Sequence, residues 1–240
     1  MPSRRSFRYN RYPQILTPSR HPDRQPLILP PQLDPSCILC FLPMNDNKWF
    51  DYSGKGNHGT VYGPTKTSKG RNGFGWSFNG LDDYIDAGIS ATLQNSNGNI
   101  TIESWLKWHA VTELYNSVLA DEAVLGGGYT LLLKSNQKLA FYWTVISSDG
   151  LGPTVVSFDV WHQIGVTYDK SNIITFVDGE VDFKNPATGN QITPSDSRFF
   201  IGKSVFESGR YFNGLIGELR IYNRALSALE IKALYEMGRP

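Results

Sequence analysis

Residues 173–183 read Ile173-Ile-Thr-Phe-Val-Asp-Gly-Glu-Val-Asp-Phe183. Two runs of β-branched and aromatic residues flank Asp178-Gly179, and such a two-residue link is a strong hairpin signal because both positions accept positive φ. The same pattern extends outward. Trp161–Tyr168 reads as a strand, and Tyr129–Lys134 with Leu139–Val145 as a hairpin across Ser135-Asn136-Gln137. Ile100–Lys107 alternates, with Ile100, Ile102, Ser104 and Leu106 on one face and Thr101, Glu103, Trp105 and Lys107 on the other. Cys37–Leu42 opens the set, and Phe199–Lys203 and Leu215–Tyr222 close it. About a dozen short strands with turn residues between them predict an all-β fold, a two-sheet antiparallel sandwich.

One helix is expected, at the end of the chain. Ser227-Ala-Leu-Glu230 is a capping box, with Leu226 and Ile231 at the staple positions and Gly238 as the stop. Ile231, Leu234 and Tyr235 give it an apolar face. A helix of about ten residues is marginal alone, so that face must dock on the sandwich.

The formal charge of +1 excludes a uniformly basic nucleic-acid binder, and no apolar run reaches the ~18 residues of a membrane span. The near-neutral total hides an uneven distribution. Residues 1–35 hold six arginines against Asp23 and Asp34, net +4, leaving 17 basic and 20 acidic residues, net −3, in the remaining 205. Eight of the 14 prolines also lie there. Each proline fixes φ and removes a donor, so residues 1–36 are expected to form an extended arm outside the sandwich of residues 37–240. Its apolar stretch, Leu27-Ile28-Leu29, is too short for a secretory signal, and its prolines forbid the amphipathic helix of a transit peptide. Two readings stand on composition: a disordered solubilising tail, or an assembly arm. In the second, Tyr9 and Tyr12 bury against a neighbouring protein while Arg4, Arg5, Arg8 and Arg11 meet carboxylates or phosphates. Nucleic acid is not the expected partner, because four charges without a base-reading element bind weakly and salt-sensitively.

Cys37-x-x-Cys40 has the spacing of a metal or redox half-motif. Residues i and i+3 of a regular strand point to opposite faces, however, and no second cysteine pair exists, so a structural role is expected. Asp51–Gly59 is a turn cluster without the Gly-Lys-Ser/Thr end of a phosphate loop, and His58 reads as a loop or packing residue. Asp82 and Asp83 are either calcium ligands or a solvated turn.

Five stretches, in this order, resemble the laminin-G-like, concanavalin-A-like lectin/glucanase jelly-roll family. They are Asp51–Thr60, Ser77–Ile85, Ile100–Trp105, Trp161–Asp169 with Val177–Gly179, and Phe212–Ile216 through Glu218–Ser227. The resemblance implies two curved sheets, with Trp105 and Trp161 as packing residues, and Trp161 is expected to be buried. The family pattern places an acidic residue, credited with holding calcium, just before Glu218. Gly217 stands there instead, so no cofactor and no tightly held metal is expected.

The resemblance admits three functions. Hydrolases of this kind need carboxylates ~5–5.5 Å apart. The nearest candidate, Asp178-x-Glu180-x-Asp182, straddles a hairpin tip in water. The four histidines (21, 58, 109 and 162) show no nucleophile-elbow pattern. Catalysis is therefore not expected. Glycan binding needs exposed aromatics, and Tyr115, Tyr142, Trp143, Phe206 and Tyr211 are candidates. Alternation sets Phe141 and Trp143 together, so Tyr142 is the sugar platform if Phe141 faces the core. The third reading, preferred here, is a subunit displayed on a virion, capsid or other particle and anchored by the arm, with glycan recognition as a compatible role. A free lectin or adhesion protein, extracellular by a non-classical route, is the alternative.

Overall fold

The computed structural model describes residues 34–41, 49–94, 98–110, 115–122, 128–143, 146–187, 196–204 and 210–238. Its strands are β1 (Cys37–Phe41), β2 (Thr60–Tyr62), β3 (Thr65–Thr67), β4 (Gly75–Asn79), β5 (Tyr84–Gly88), β6 (Ile100–Trp108), β7 (Tyr115–Glu122), β8 (Gly128–Lys134), β9 (Leu139–Trp143), β10 (Ile146–Ser147), β11 (His162–Tyr168), β12 (Asn172–Val177), β13 (Glu180–Pro186), β14 (Arg198–Ile201) and β15 (Asn213–Tyr222). One helix follows, α1 (Ala228–Gly238). The strands form two antiparallel sheets, in the orders β13-β12-β11-β6-β15-β4-β3 and β10-β9-β8-β7-β14-β5-β2, with β1 added to β15 in the first.

The decisive hairpin forms as read. Asp178 and Gly179 have φ of 52° and 78°, the positive pair of a type I′ turn, and β12 and β13 run antiparallel from it. Gly179 is also needed for space, since a Cβ there would lie 2.8 Å from Tyr235 on α1. Pro186 ends β13, the outer strand of its sheet, where no further neighbour needs its missing donor.

Alternation sorts β6 as expected. Ile100, Ile102 and Leu106 enter the core between the sheets, with Leu131, Leu133, Phe141 and Trp143 from the opposite sheet. Trp143 touches Tyr129, Phe141 and, across the sandwich, Tyr168. The opposite face of β6 is also covered, for Thr101, Glu103 and Trp105 are buried. A second apolar cluster of Cys37, Cys40, Phe176, Tyr222, Leu226, Ile231 and Leu234 seats α1 on that side.

The helix start is the predicted capping box. The Ser227 N–H donates to Glu230 Oε2 at 2.8 Å, and the Glu230 N–H donates back to Ser227 Oγ at 3.3 Å. Arg224 bridges Glu230 and Asp34, tying the cap to the chain just before β1. Ser227→Ala is expected to lower stability by about 1 kcal/mol, measurable by urea unfolding.

Two expectations are corrected. Cys37 and Cys40 do not face opposite sides: Cys37 pairs with Tyr222, Leu39 with Ile221 and Cys40 with Arg220, so Ile38 is an extra, bulged residue. The bulge shifts the alternation and turns both thiols to the helix side. Trp161 is half-buried, not buried. It precedes β11 and lies against Gly217, where an added Cβ would stand 3.4 Å from its ring. Trp105 is the buried tryptophan of the two, 3% exposed, held between the Arg71 guanidinium and the Tyr235 ring.

Candidate functional site

On the seven-stranded sheet, one row of paired residues crosses every strand: Thr60, Asp86, Phe200, Ala120, Thr130, Tyr142 and Ser147. Their neighbours in β5, β8, β9 and β14, such as Ile85, Leu131, Phe141 and Ile201, enter the core, so this row lies on the outer face. Tyr62 and Tyr84 are paired one step along β2 and β5 on the same face.

At the β2–β5–β14 side the row carries an aromatic column. The Tyr62 and Tyr84 rings stack at 4.7 Å with 14° between planes. Lys203 Nζ lies 3.5 Å from the Tyr84 ring centre and 4.3 Å from that of Phe200. Phe200 is only 7% exposed, whereas Tyr62 is 45% exposed and ends the column. Beside it, Arg198 Nε donates to both carboxylate oxygens of Asp86, at 3.0 and 2.9 Å. Burial, helped by Tyr62, Asp86 and Tyr211, pushes the Tyr84 hydroxyl up, so it remains a donor at neutral pH. A flat ring with an open face, flanked by a tyrosine hydroxyl, a guanidinium and a carboxylate, suits the C–H face and hydroxyls of a sugar.

The predicted aromatics divide as follows. Phe141 and Trp143 are in the core, and Tyr142 is half-buried on the outer face, where its hydroxyl hydrogen-bonds Asp149. That bond, with Lys134, holds the Asp149 carboxyl below the usual carboxylate range. Tyr211 is half-buried and its backbone bridges Lys203, beside the column. Tyr115 begins β7, and nothing further of its side chain is described. Phe206 and the arm residues Arg4, Arg5, Arg8, Tyr9, Arg11 and Tyr12 lie outside the described residues. Sequence reading missed Tyr62, Tyr84, Arg198 and Asp86. A signal existed in Tyr84-Ile-Asp-Ala87, whose alternation sets Tyr84 and Asp86 opposite core residues.

The carboxylates do not converge as a hydrolase pair. Asp178 accepts from His162 Nδ1 at 2.8 Å and from the Gln163 N–H at 3.0 Å. Glu180 pairs with Lys232. Asp182 is 7% exposed, so it is not in water as the sequence suggested. It accepts the Thr154 N–H at 2.8 Å and sits against Thr175. Further along the same sheet, on β6 and β15, Glu103 and Glu218 both bind Arg220, and Glu218 also takes Arg71 at 2.8 Å. Two guanidiniums beside Glu218 disfavour a cation at Gly217. Asp82 and Asp83 close the turn after Asn79: the Asn79 N–H donates to Asp83 at 2.9 Å and its amide donates to Asp82 at 2.7 Å. His58 stacks on Phe50 at 4.1 Å and accepts the Asp51 N–H, as a packing residue. Among the described residues, no three His, Cys, Asp or Glu side chains group as metal ligands. No helix there is long and apolar enough to cross a membrane.

Solved structures share this fold at low sequence identity. Domain 4 of AbnA, a GH43 extracellular arabinanase from Geobacillus stearothermophilus, solved with arabinotriose, superposes with a TM-score of 0.68 at 18% identity, over 83% of this chain and 98% of that domain. The binding domain of Paraclostridial Mosquitocidal Protein 1 gives 0.66 at 14%, over 83% of this chain and 52% of that one. The botulinum neurotoxin serotype G binding domain gives 0.66 at 15%, over 85% and 54%. This chain thus spans about half the length of the two toxin binding domains. No protein of curated function matches it in sequence. A family model matches residues 78–232, well over half of the 240, and the chain belongs to the concanavalin A-like lectin/glucanases superfamily.

Proposed function

We propose that the protein is a non-catalytic binding module that recognises a glycan on the outer face of its seven-stranded sheet. The observation that carries this reading is the stacked Tyr62–Tyr84 pair, whose outer ring is 45% exposed beside the Arg198–Asp86 pair. The family and the arabinotriose complex of the AbnA domain support it. The engagement of each candidate carboxylate in its own structural contacts supports a non-catalytic role. In the same proposal residues 1–36 anchor the module to protein neighbours in a larger assembly, at a virion or particle surface. The support for that part is compositional, a segment of net +4 with eight prolines joined to a remainder of net −3.

Calorimetric titration with arabinotriose and with a sialylated trisaccharide tests the site. Tyr62→Ala is expected to weaken binding roughly tenfold, the scale of one lost ring contact. The melting temperature should stay unchanged, because Tyr62 is an exposed residue of a short outer strand. Undiminished affinity in Tyr62→Ala, or no binding of either sugar, would remove the site. Deleting residues 1–30 is expected to leave sugar binding intact and to abolish incorporation into the assembly; normal incorporation would remove the arm's role.

A further inference from the structure

The bulge at Ile38 has a chemical consequence. It places Cys37 and Cys40 on one side of β1, both 0% exposed, in the apolar patch sealed by Ile231 and Leu234 of α1. The Cys37 thiol donates to the Leu39 carbonyl oxygen at 3.4 Å, with Cys40 as its neighbour in the same patch. These are the only two cysteines in the chain, so just one intramolecular pairing exists. Regular spacing would have kept them apart, and the inserted residue brings them together.

We propose that Cys37 and Cys40 form a reversible dithiol–disulfide pair, with a low-molecular-weight disulfide such as glutathione disulfide as the oxidant. One thiol loses its proton to water, and its thiolate attacks a sulfur of the oxidant. The oxidant's S–S bond breaks, one thiolate leaves, and a mixed disulfide remains on the protein. The second cysteine, deprotonated in turn, displaces the other half of the oxidant and closes the Cys37–Cys40 bond. Two protein thiols are oxidised, one external disulfide is reduced to two thiols, and no other reactant is needed.

The surroundings set the route. The neighbouring Cys40 and burial push the Cys37 thiol far up, while Arg220, paired with Cys40 across the ladder, pulls the other way. In the closed structure the thiol stays protonated and shielded, so exchange waits for α1 to lift. Once the helix lifts, solvent reaches both sulfurs and the Arg220 guanidinium favours the thiolate. The bond then fixes the strand that directly follows the Arg/Pro-rich segment.

The test uses the full chain, held natively in glutathione buffers of stepped reduced-to-oxidised ratio, then quenched in acid, denatured and alkylated. Intact mass is expected to show a population that resists alkylation and is lighter by two hydrogens, with a linked Cys37–Cys40 peptide, reverting with dithiothreitol. Cys37→Ser is expected to give only a glutathione adduct at Cys40. Ser227→Ala, which frays the start of α1, is expected to speed formation of the bond several-fold without changing the end state. Complete alkylation of both thiols at every ratio, or glutathione adducts alone in the parent chain, would overturn the pair. An unchanged rate in Ser227→Ala would overturn entry through α1.

Discussion

Arg220→Met is expected to lower the unfolding free energy by about 3–5 kcal/mol, the scale for removing one partner of a buried ion pair. Arg220 is 9% exposed and Glu103 0%, and their contact sits between β6 and β15 under the helix side of the sheet. Gln163 Nε2 donates to the other Glu103 oxygen at 3.1 Å, and Glu218 takes the second arm of Arg220 at 2.6 Å. Removing the guanidinium leaves Glu103 with one neutral donor in a site closed to water. Burial already raises the Glu103 carboxyl in spite of Arg220. Without Arg220 it rises further. A group whose folded pKa is raised gives stability that is present at low pH and lost as pH rises through that value. The deficit of the variant is therefore largest where Glu103 must fold ionised and shrinks as pH falls through its raised value. Glu218 adds to this from the other direction. Burial would raise it, but Arg220 and Arg71 overcome that and hold it below the usual range, so the parent loses stability as pH falls below about 4.3. Urea unfolding at stepped pH reads both. A deficit below 1 kcal/mol, or one constant from pH 5 to 8, would show that the pair is solvated in solution. Glu103→Gln should be milder at neutral pH, because it removes the charge and keeps hydrogen-bonding capacity.

The strands, the type I′ hairpin and the capped helix were legible because each rests on local rules of period, turn residue and cap. What escaped depended on contacts between distant segments. Glu103 and Trp105 read as one face of an alternating strand, and nothing in that pattern shows the face is roofed by α1 and by Arg71, which lies 147 residues from its partner Glu218. The thiols were assigned to opposite faces because a bulge set by pairing with β15 has no signature in Cys-Ile-Leu-Cys. Trp161 was expected to be buried from a resemblance, yet it stands just before β11, half-buried against a glycine that offers it no side chain. The site shows the same division. Alternation was enough to set Phe141 and Trp143 together and Tyr142 opposite, but which of the two faces is the core came from the packing. The Tyr62–Tyr84 column needed the register that sets Tyr62 opposite Tyr84, and register is a property of the pair.

Trp143→Ala is expected to lower stability by about 3–5 kcal/mol, the range for deleting a large core aromatic, and to bring the melting temperature down by roughly 10 °C. The residue is 0% exposed and its ring is met edge-on from several directions. Tyr129 stands at 5.4 Å and Phe141 at 6.4 Å within its own sheet, and Tyr168 at 5.7 Å from the facing one. Its removal opens a cavity between the layers, which relax only partly because both are held by ladders. The cause can be separated from lost hydrogen bonding. Trp143 Nε1 is buried with no hydrogen-bond partner among the described residues. Trp143→Phe therefore gives up no hydrogen bond and removes an unsatisfied donor, while keeping most of the ring volume. It should lose no more than about 1.5 kcal/mol. Tyr62→Ala, on the outer face, should melt as the parent does. Equal losses for Trp143→Phe and Trp143→Ala would show that the indole N–H is bonded in solution. A small loss for both would mean the sheets do not close on this ring, and the inward assignment of Trp143, and with it the outward one of Tyr142, would fall together.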